Sequence, residues 1–298
     1  MMRQKEFFLK KARRIFCLSA FAFVFLFVLT ACAASPSSTQ DYLSGYTSAG
    51  HLVFIGLDGW GGVYTQKADM PTVKRMMAEG SSTLEMLSVM PSVSLNNWTA
   101  LFSGIKIKKN NSYQSPSIFT LINESGHERK TILFYEWEGF LRIIPEETVE
   151  KCQIQSDLES TMLIADYIIE TKPFFTAIIY NQPDGTGHNK RWGSADYYAR
   201  LTELDGYIAI IEQAVKDAGI YEDTVFVLSS DHGGVFWGHG FFSRDERRIP
   251  LIIYGKNIKE GYVIKSPGKI YNITPTMAAI LGLRIPSEWM GKPLLEVF

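Results

Sequence analysis

The feature that most constrains the fold is a series of apolar segments, each followed at once by polar residues or glycine. Residues 51–57 form the first, a nearly continuous apolar run that ends at Asp58-Gly59. Further apolar segments cover residues 130–135, 174–180, 224–229 and 249–254. Strands that are apolar on both faces are typical of parallel sheets covered by helices on both sides. The pattern therefore predicts buried strands of a mainly parallel sheet.

Segments with helical periodicity separate most of these strands. Helices are predicted at residues 70–79, 94–102, 115–124, 157–170, 195–218 and 273–281. This alternation predicts an α/β fold, a three-layer αβα sandwich around a mainly parallel central sheet. A chain of 298 residues that is 46% hydrophobic can bury one large core. Its formal net charge of -1 gives no basic surface, so we expect no nucleic-acid binding.

The N-terminal 32 residues have the layout of an export signal rather than of a folded domain. A basic stretch at residues 5–14 precedes an apolar run at 15–28, and Leu29-Thr30-Ala31-Cys32 follows. The last four residues resemble a bacterial lipobox, which implies cleavage before Cys32 and a lipid on its thiol. The alternative is an uncleaved transmembrane anchor, for which the apolar run is short compared with the ~20 residues that a span requires.

Both alternatives predict an exported protein that is tethered to a membrane of the bacterial cell envelope. Residues 33–48 are rich in Ser, Ala and Thr and are predicted to be a flexible tether, which leaves 49–298 as the folded domain. Cys152 is then the remaining cysteine of the mature chain, so we expect no intrachain disulfide. A lone cysteine of this kind is more often a packing residue than a nucleophile. The sequence specifies no oligomeric state.

Acidic residues and histidines gather just after the predicted strands. The set comprises Asp58, Asp184, His188, Asp231, His232 and His239, which include three of the five histidines of the chain. Because the carboxyl ends of parallel strands meet at one edge of a sheet, we expect these side chains to converge. Asp and His are ligands of zinc and similar divalent ions, and two ions need about this many ligands. Taken singly, each residue has an ordinary alternative as a cap, a turn former or a satisfied polar group.

A serine near the start of the second predicted helix is the candidate nucleophile. Ser94 lies in Pro91-Ser92-Val93-Ser94-Leu95-Asn96-Asn97, where a turn becomes a helix. The amides at a helix N-terminus favour an anion, and a metal-bound hydroxyl is activated near neutral pH. Ser94 could instead be a simple N-cap, and Ser92 competes with it for either role.

The ordered motifs resemble the alkaline phosphatase superfamily, most closely its type I phosphodiesterase / nucleotide pyrophosphatase branch. The resemblance is carried by Ile55-Gly56-Leu57-Asp58-Gly59, the Ser94 segment through Gly104, Pro183-Asp184 with His188, and Ser230-Asp231-His232-Gly233. It implies an alkaline phosphatase-like fold and a hydrolase that acts on small phosphate esters with two divalent ions, expected to be zinc.

The resemblance also implies a role for each motif residue. Asp184, His188 and His239 would hold one zinc, and Asp58, Asp231 and His232 would hold the other, with Ser94 next to it. Asn97 would hydrogen-bond the transferred phosphoryl group. Ser94 would attack phosphorus, and the phosphoserine intermediate would then be hydrolysed.

This sequence departs from the branch at three places. The branch usually has threonine where Ser94 stands, and its Pro-Asn pair is Asn96-Asn97 here. His239 lies closer to His232 than the third histidine does in nucleotide pyrophosphatases, and His51 and His127 are weaker substitutes.

Several functions remain open at this stage. The motif segments contain no arginine, which favours diesters over the more highly charged monoesters. The alternatives are a phosphomonoesterase, a phospho-group transferase acting on envelope glycans or lipids, and a non-catalytic lipoprotein that retains the fold. A sulfatase is disfavoured because Leu95-Asn96-Asn97-Trp98 lacks the arginine that follows a sulfatase nucleophile.

Overall fold

The computed structural model describes residues 48–106, 115–125, 129–144, 149–265 and 268–298. The predicted signal, the lipobox Cys32, the tether up to residue 47 and His127 lie outside these ranges. Across the described ranges, no helix is both long enough and apolar enough to cross a bilayer.

A single eight-stranded sheet forms the centre of the described fold. In spatial order its strands are β4-β3-β5-β1-β6-β7-β2-β8. Their bounds are β1 His51–Leu57, β2 Ser81–Leu87, β3 Thr131–Tyr135, β4 Glu150–Gln153, β5 Phe175–Tyr180, β6 Thr224–Ser229, β7 Arg248–Gly255 and β8 Tyr262–Val263. The predicted strands are all present, whereas β2, β4 and β8 were not predicted from the sequence.

Most strand pairs are parallel, as predicted. The run β4-β3-β5-β1-β6 is parallel throughout, and β8 runs parallel to β2. Strand β7 is antiparallel to both β6 and β2. Between β6 and β7 the chain forms turns and one helix of four residues, so it makes no long crossover, and the next strand returns in the opposite direction. Strand β1 thus lies between β5 and β6 at the centre of the parallel run.

Helices connect most of the strands. They are α1 Gly62–Thr65, α2 Pro71–Ala78, α3 Ser94–Ser103, α4 Ile118–Glu124, α5 Phe140–Ile143, α6 Leu158–Thr171, α7 Asp184–Lys190, α8 Ala195–Asp217, α9 Arg244–Arg247 and α10 Ile273–Ile280. The predicted helices all occur, with ends that differ by a few residues. Helix α4, for example, begins at Ile118, after its cap Ser117, rather than at Ser115.

Two apolar cores lie on opposite faces of the sheet. Alternation along β1 places Leu52 and Phe54 in one core and Val53, Ile55 and Leu57 in the other. Helices α3 and α10 cover the first core, and α2, α6 and α8 cover the second. The three-layer αβα sandwich is therefore confirmed.

Candidate active site

The carboxyl ends of the three central strands carry most of the predicted site residues. Asp58 follows β1 directly, Asp184 begins α7 after β5, and Asp231 and His232 follow β6. These strands are neighbours and run parallel, so their ends meet at one edge of the sheet. The backbone N–H of Asp184 donates to the Asp58 carbonyl at 2.9 Å and joins two of the loops directly.

A short helix, rather than the turn that its glycines suggest, presents Asp184 and His188 together. Both residues belong to α7 and are four positions apart, so they share a helix face. His188 Nε2 lies 3.5 Å from Asp184 Oδ2.

Ser94 is the first residue of α3 and faces this group. The N-cap is Val93, and the start of the helix has no side-chain cap. Ser94 Oγ lies 3.1 Å from His232 Nε2 and 3.5 Å from Asp58 Oδ1. The structure therefore places the Ser94 hydroxyl against two candidate ligands and not in the N-cap position.

Ser92 has a different environment. Its buried hydroxyl lies within hydrogen-bond distance of Glu246 Oε2 at 3.3 Å and accepts from the Gly240 N–H at 3.1 Å. Its carbonyl accepts from His239 Nδ1 at 2.8 Å. Ser92 thus fixes the loop that carries His239, and its hydroxyl is occupied there.

The side chain of Asn97, which the resemblance assigns to the phosphoryl group, is surrounded by backbone groups of its own segment. The side chain is fully buried, and its Oδ1 accepts from the Val89 N–H at 2.7 Å. Its Nδ2 lies near the carbonyls of Val89, Pro91 and Val93, at 3.4, 3.4 and 3.1 Å. Because these backbone groups engage the amide, Asn97 braces the segment before Ser94.

The three site histidines share one tautomer. In each of them Nδ1 lies next to a backbone carbonyl, which can only accept, so Nδ1 carries a hydrogen and, in the neutral ring, Nε2 keeps its lone pair. The carbonyls belong to Trp237 for His188, Gly233 for His232 and Ser92 for His239, at 2.9, 2.9 and 2.8 Å. This arrangement is typical of histidines that bind a metal through Nε2.

At the centre of the site, pairs of hydrogen-bond acceptor atoms lie close together. The Nε2 atoms of His188 and His239 are 3.1 Å apart, and His232 Nε2 is 3.2 Å from Asp231 Oδ2. Neither contact has a hydrogen between its atoms when each histidine is neutral and carries its one hydrogen on Nδ1. Within the described ranges, Asp184 Oδ1 and Asp231 Oδ2 are buried without a hydrogen-bond partner. This set of donor atoms has the composition and closeness of a cation-binding site.

The electrostatics of the carboxylates also fit a cation site. Burial, followed by the neighbouring charges of Asp231 and Asp184, holds the pKa of Asp58 well above its usual value. Burial and Asp184 raise the pKa of Asp231 to about 8. Burial also lowers the pKa of His232, which favours the neutral ring that a metal requires. Bound divalent ions would offset the cost of burying these carboxylates together.

The candidate ligand atoms form two groups that share His232. The first contains Asp58, Asp231 and His232, and the second contains Asp184, His232 and His239, with all ligand atoms of each group within 4.8 Å of one another. His188 adjoins the second group, 3.5 Å from Asp184 and 3.1 Å from His239. All six predicted ligands and Ser94 are therefore brought together.

Sequence reasoning missed Trp98 as a positioning residue. Its buried indole N–H donates to Asp58 Oδ2 at 2.9 Å, while the Gly59 N–H donates to Asp231 Oδ1 at 3.2 Å. The available signal was spacing, because Trp98 lies four residues after Ser94 and hence on the same face of α3.

Comparison with known proteins places this site in a family. The sequence model of the type I phosphodiesterase / nucleotide pyrophosphatase family matches residues 52–111 and 125–276. Arylsulfatase K of Xenopus laevis is 34% identical over 108 residues, which are 35% of this chain and 20% of that enzyme. The chain thus matches about a fifth of the length of arylsulfatase K from Xenopus laevis, Danio rerio and Bos taurus.

Solved structures share the fold at low sequence identity. Murine ectonucleotide pyrophosphatase / phosphodiesterase 5, as an inactive variant in complex with AMP, has a TM-score of 0.66 at 11% identity, covering 79% of this chain and 96% of that one. Phosphonate monoester hydrolase of Agrobacterium radiobacter has a TM-score of 0.67 at 14% identity, covering 83% and 76%. Since the family model covers most of the chain, this protein belongs to the type I phosphodiesterase / nucleotide pyrophosphatase family, hydrolases of the alkaline phosphatase superfamily.

Proposed function

We propose that this protein is a metal-dependent phosphodiesterase in which Ser94 is the nucleophile. The observation that carries the proposal is the position of the Ser94 hydroxyl, at the first residue of α3 and within 3.5 Å of both Asp58 Oδ1 and His232 Nε2. A nucleophile needs this proximity to activating groups, and a lone helix-capping serine does not.

Helix α3 supports the binding of the phosphoryl group. The N–H groups of Ser94, Leu95 and Asn96 lie in its first turn and have no acceptor within the helix. They favour the anionic oxygens of a phosphate ester next to Ser94. In the proposed reaction a bond forms from Ser94 Oγ to phosphorus as the bond to the leaving oxygen breaks. Water then cleaves the Oγ–P bond and restores the serine.

The residues present fit a pair of divalent ions. Asp58, Asp231 and His232 would hold one, and Asp184, His239 and His188 would hold the other, with His232 close to both. Such ions lower the pKa of a nearby hydroxyl and stabilise charge on phosphoryl oxygens. Mixed Asp and His ligation favours zinc, although manganese, cobalt and iron accept the same groups.

The charge of the surrounding segments favours diesters over monoesters. Residues 91–98, 184–188 and 231–240 contain no arginine or lysine. A monoester carries one more negative charge than a diester and is usually met by such a cation in addition to metal.

A comparison of three chromogenic esters tests the proposal. Full-length protein is assayed with zinc on bis-p-nitrophenyl phosphate, p-nitrophenyl phosphate and p-nitrophenyl sulfate. The expected result is preferential cleavage of the diester, which Ser94→Ala and chelation each abolish, whereas Cys152→Ala remains active. Equal diester activity in Ser94→Ala would remove Ser94 as the nucleophile.

Sulfate ester hydrolysis is the second candidate, because similarity to arylsulfatase K favours it. Against it, Ser94-Leu95-Asn96-Asn97-Trp98 lacks the arginine expected after a sulfatase nucleophile. Faster cleavage of the sulfate than of either phosphate would select this candidate.

We also propose that the protein is exported and lipid-anchored through Cys32, with 49–298 as its catalytic domain. The basic stretch, the apolar run and the lipobox-like residues 29–32 support this assignment. Mass spectrometry of the mature N-terminus is expected to find diacylglyceryl-modified Cys32, and Cys32→Ala is expected to prevent cleavage before it. An unmodified Cys32 within an uncleaved chain would contradict the proposal.

A further inference from the structure

A short segment at the edge of the site exposes four large aromatic side chains. Phe236, Trp237, Phe241 and Phe242 lie within seven consecutive residues and are 69%, 60%, 67% and 85% exposed. Aromatic side chains of this size are usually buried or partly covered, and a concentrated group of exposed ones marks an interaction surface. We refer to residues 236–242 as the aromatic segment.

The fold holds the aromatic segment in this exposed position. The Phe236 carbonyl accepts from the Trp192 N–H at 2.8 Å, and the Phe241 N–H donates to buried Glu246 Oε2 at 2.6 Å. Val235 and Gly238 exchange backbone hydrogen bonds of 2.9 and 3.1 Å. Phe236 has a φ of 54°, a left-handed conformation that non-glycine residues rarely adopt. Since the backbone is fixed on both sides, the exposure is a built feature of the segment.

The segment also borders the proposed active site. The Trp237 carbonyl accepts from His188 Nδ1 at 2.9 Å, and the segment contains His239 itself. Any surface that covers the aromatic side chains therefore lies beside the proposed active site.

The exposed area exceeds what a small substrate would cover. An aromatic side chain presents about 150–250 Å² when fully exposed, so four side chains at these exposures present roughly 500 Å². An alcohol substituent of a phosphate ester can cover only part of that surface. The area suits an extended apolar phase or a macromolecule.

The charged residues next to the aromatic segment indicate which of these two partners, an apolar phase or a macromolecule, it suits better. Residues 235–243 carry no acidic side chain and no lysine or arginine, and their one ionisable side chain is the candidate metal ligand His239. Exposed Lys190 and Arg191 directly precede Trp192, whose N–H is bonded to the segment, and Arg244, 74% exposed, follows it. The acidic neighbours are buried Glu246, which accepts from the Phe241 N–H, and exposed Asp245 and Glu85. Glu85 lies 3.5 Å from Arg244 in a weak surface pair. Exposed Trp and Phe flanked by cationic residues are typical of surfaces that enter the interface of an anionic bilayer.

We propose that the aromatic segment docks onto an anionic lipid bilayer, so that the active-site opening faces the lipid headgroups. The length of the predicted tether is compatible with this contact, because residues 33–48 can span at most ~58 Å when extended. The proposal concerns binding alone and does not depend on which ester is hydrolysed.

Fluorescence quenching by brominated lipids tests the proposal. Full-length protein is reconstituted into vesicles of phosphatidylcholine and phosphatidylglycerol, with or without dibrominated acyl chains. We expect brominated lipid to quench a component of the wild-type emission that Trp237→Phe lacks. Trp289→Phe is the matched control, since this indole is 6% exposed and bonded to Pro116, so its loss should leave the quenched component unchanged.

A second variant guards against a local effect at Trp237. Phe236→Ser/Phe242→Ser keeps the indole and removes half of the aromatic surface, so its quenching should fall at least twofold. Equal quenching in wild type and Trp237→Phe would overturn the proposal. So would concentration-dependent self-association that the double variant abolishes in the absence of quenching, because the surface would then join copies of this chain.

Discussion

Trp98→Phe isolates the hydrogen bond that positions Asp58. The indole N–H of fully buried Trp98 donates to Asp58 Oδ2 at 2.9 Å, and phenylalanine keeps an aromatic ring while removing that donor. The residue packs against Phe102 and Phe140, with ring centroids 6.1 and 5.6 Å away, so a planar ring should remain in place.

The expected magnitude follows from burial and charge. Because Asp58 and Trp98 are 1% and 0% exposed, water cannot replace the lost donor. Hydrogen bonds to ionised groups contribute about 1.5–3 kcal/mol, and loss of such a partner typically weakens metal binding by about 10–100-fold. A loss of about 2 kcal/mol corresponds to roughly 30-fold weaker zinc binding.

Trp60→Phe is the matched control for this variant. Trp60 is equally buried, but within the described part of the chain its indole nitrogen has no hydrogen-bond partner. Zinc affinity is measured by competition with a chromophoric chelator, and circular dichroism checks that both variants fold. We expect weaker zinc binding in Trp98→Phe and wild-type affinity in Trp60→Phe. Equal affinities in the two variants would refute the role given to the Trp98 hydrogen bond.

Three further predictions concern stability. Asn97→Ala should lower the free energy of unfolding by about 2–3 kcal/mol, because it leaves the buried Val89 N–H without its acceptor; a urea midpoint equal to wild type would contradict this. Asp205→Ala should cost about 2 kcal/mol, since this buried carboxylate accepts from the N–H groups of Thr72 and Val73 at the start of α2; Asp217→Ala, on exposed helix surface, is its control, and equal urea midpoints would contradict the capping role. Zinc at 100 times its dissociation constant should stabilise the protein by about 2.7 kcal/mol, a rise in Tm of about 5–10 °C that chelator reverses; an unchanged Tm would argue against a metal site in the native state.

The strands that could be predicted from the sequence are buried strands that consist mainly of apolar residues. Strands β1, β5 and β6 are buried on both faces and consist mostly of apolar residues. Their apolar sequence pattern alone therefore located them. Strand β2 begins with Ser81, Ser82 and Thr83, which are buried between β7 and β8 although they are polar. Strand β4 is a half-exposed edge strand of mostly polar residues. Local sequence carries little signal for either.

The direction of β7 and the conformation of α7 also needed tertiary information. The composition of β7 predicts a strand but does not specify its antiparallel orientation, which depends on the path of the connection from β6. Asp184-Gly185-Thr186-Gly187 has poor helix propensity, yet packing against the neighbouring loops makes it helical. Gly187 is tightly enclosed, because a Cβ there would lie 2.5 Å from the Trp192 ring.

For the site, convergence was predictable and the partners of individual side chains were not. The carboxyl ends of parallel strands meet at one edge of a sheet. The positions of Asp58, Asp184, Asp231 and His232 just after such strands were therefore enough to predict that they lie together. The occupied amide of Asn97 and the shared position of His232 depend on contacts between segments far apart in sequence.

Acid quenching during turnover would trap the proposed covalent intermediate on Ser94. Zinc-loaded protein is mixed with excess bis-p-nitrophenyl phosphate, quenched in acid within the first turnovers, digested and analysed by mass spectrometry. We expect a p-nitrophenyl phosphoryl adduct on the peptide that contains Ser94, located at Ser94 rather than Ser92 and absent from Ser94→Ala. Rapid turnover with no adduct, or an adduct on another residue that persists in Ser94→Ala, would contradict it.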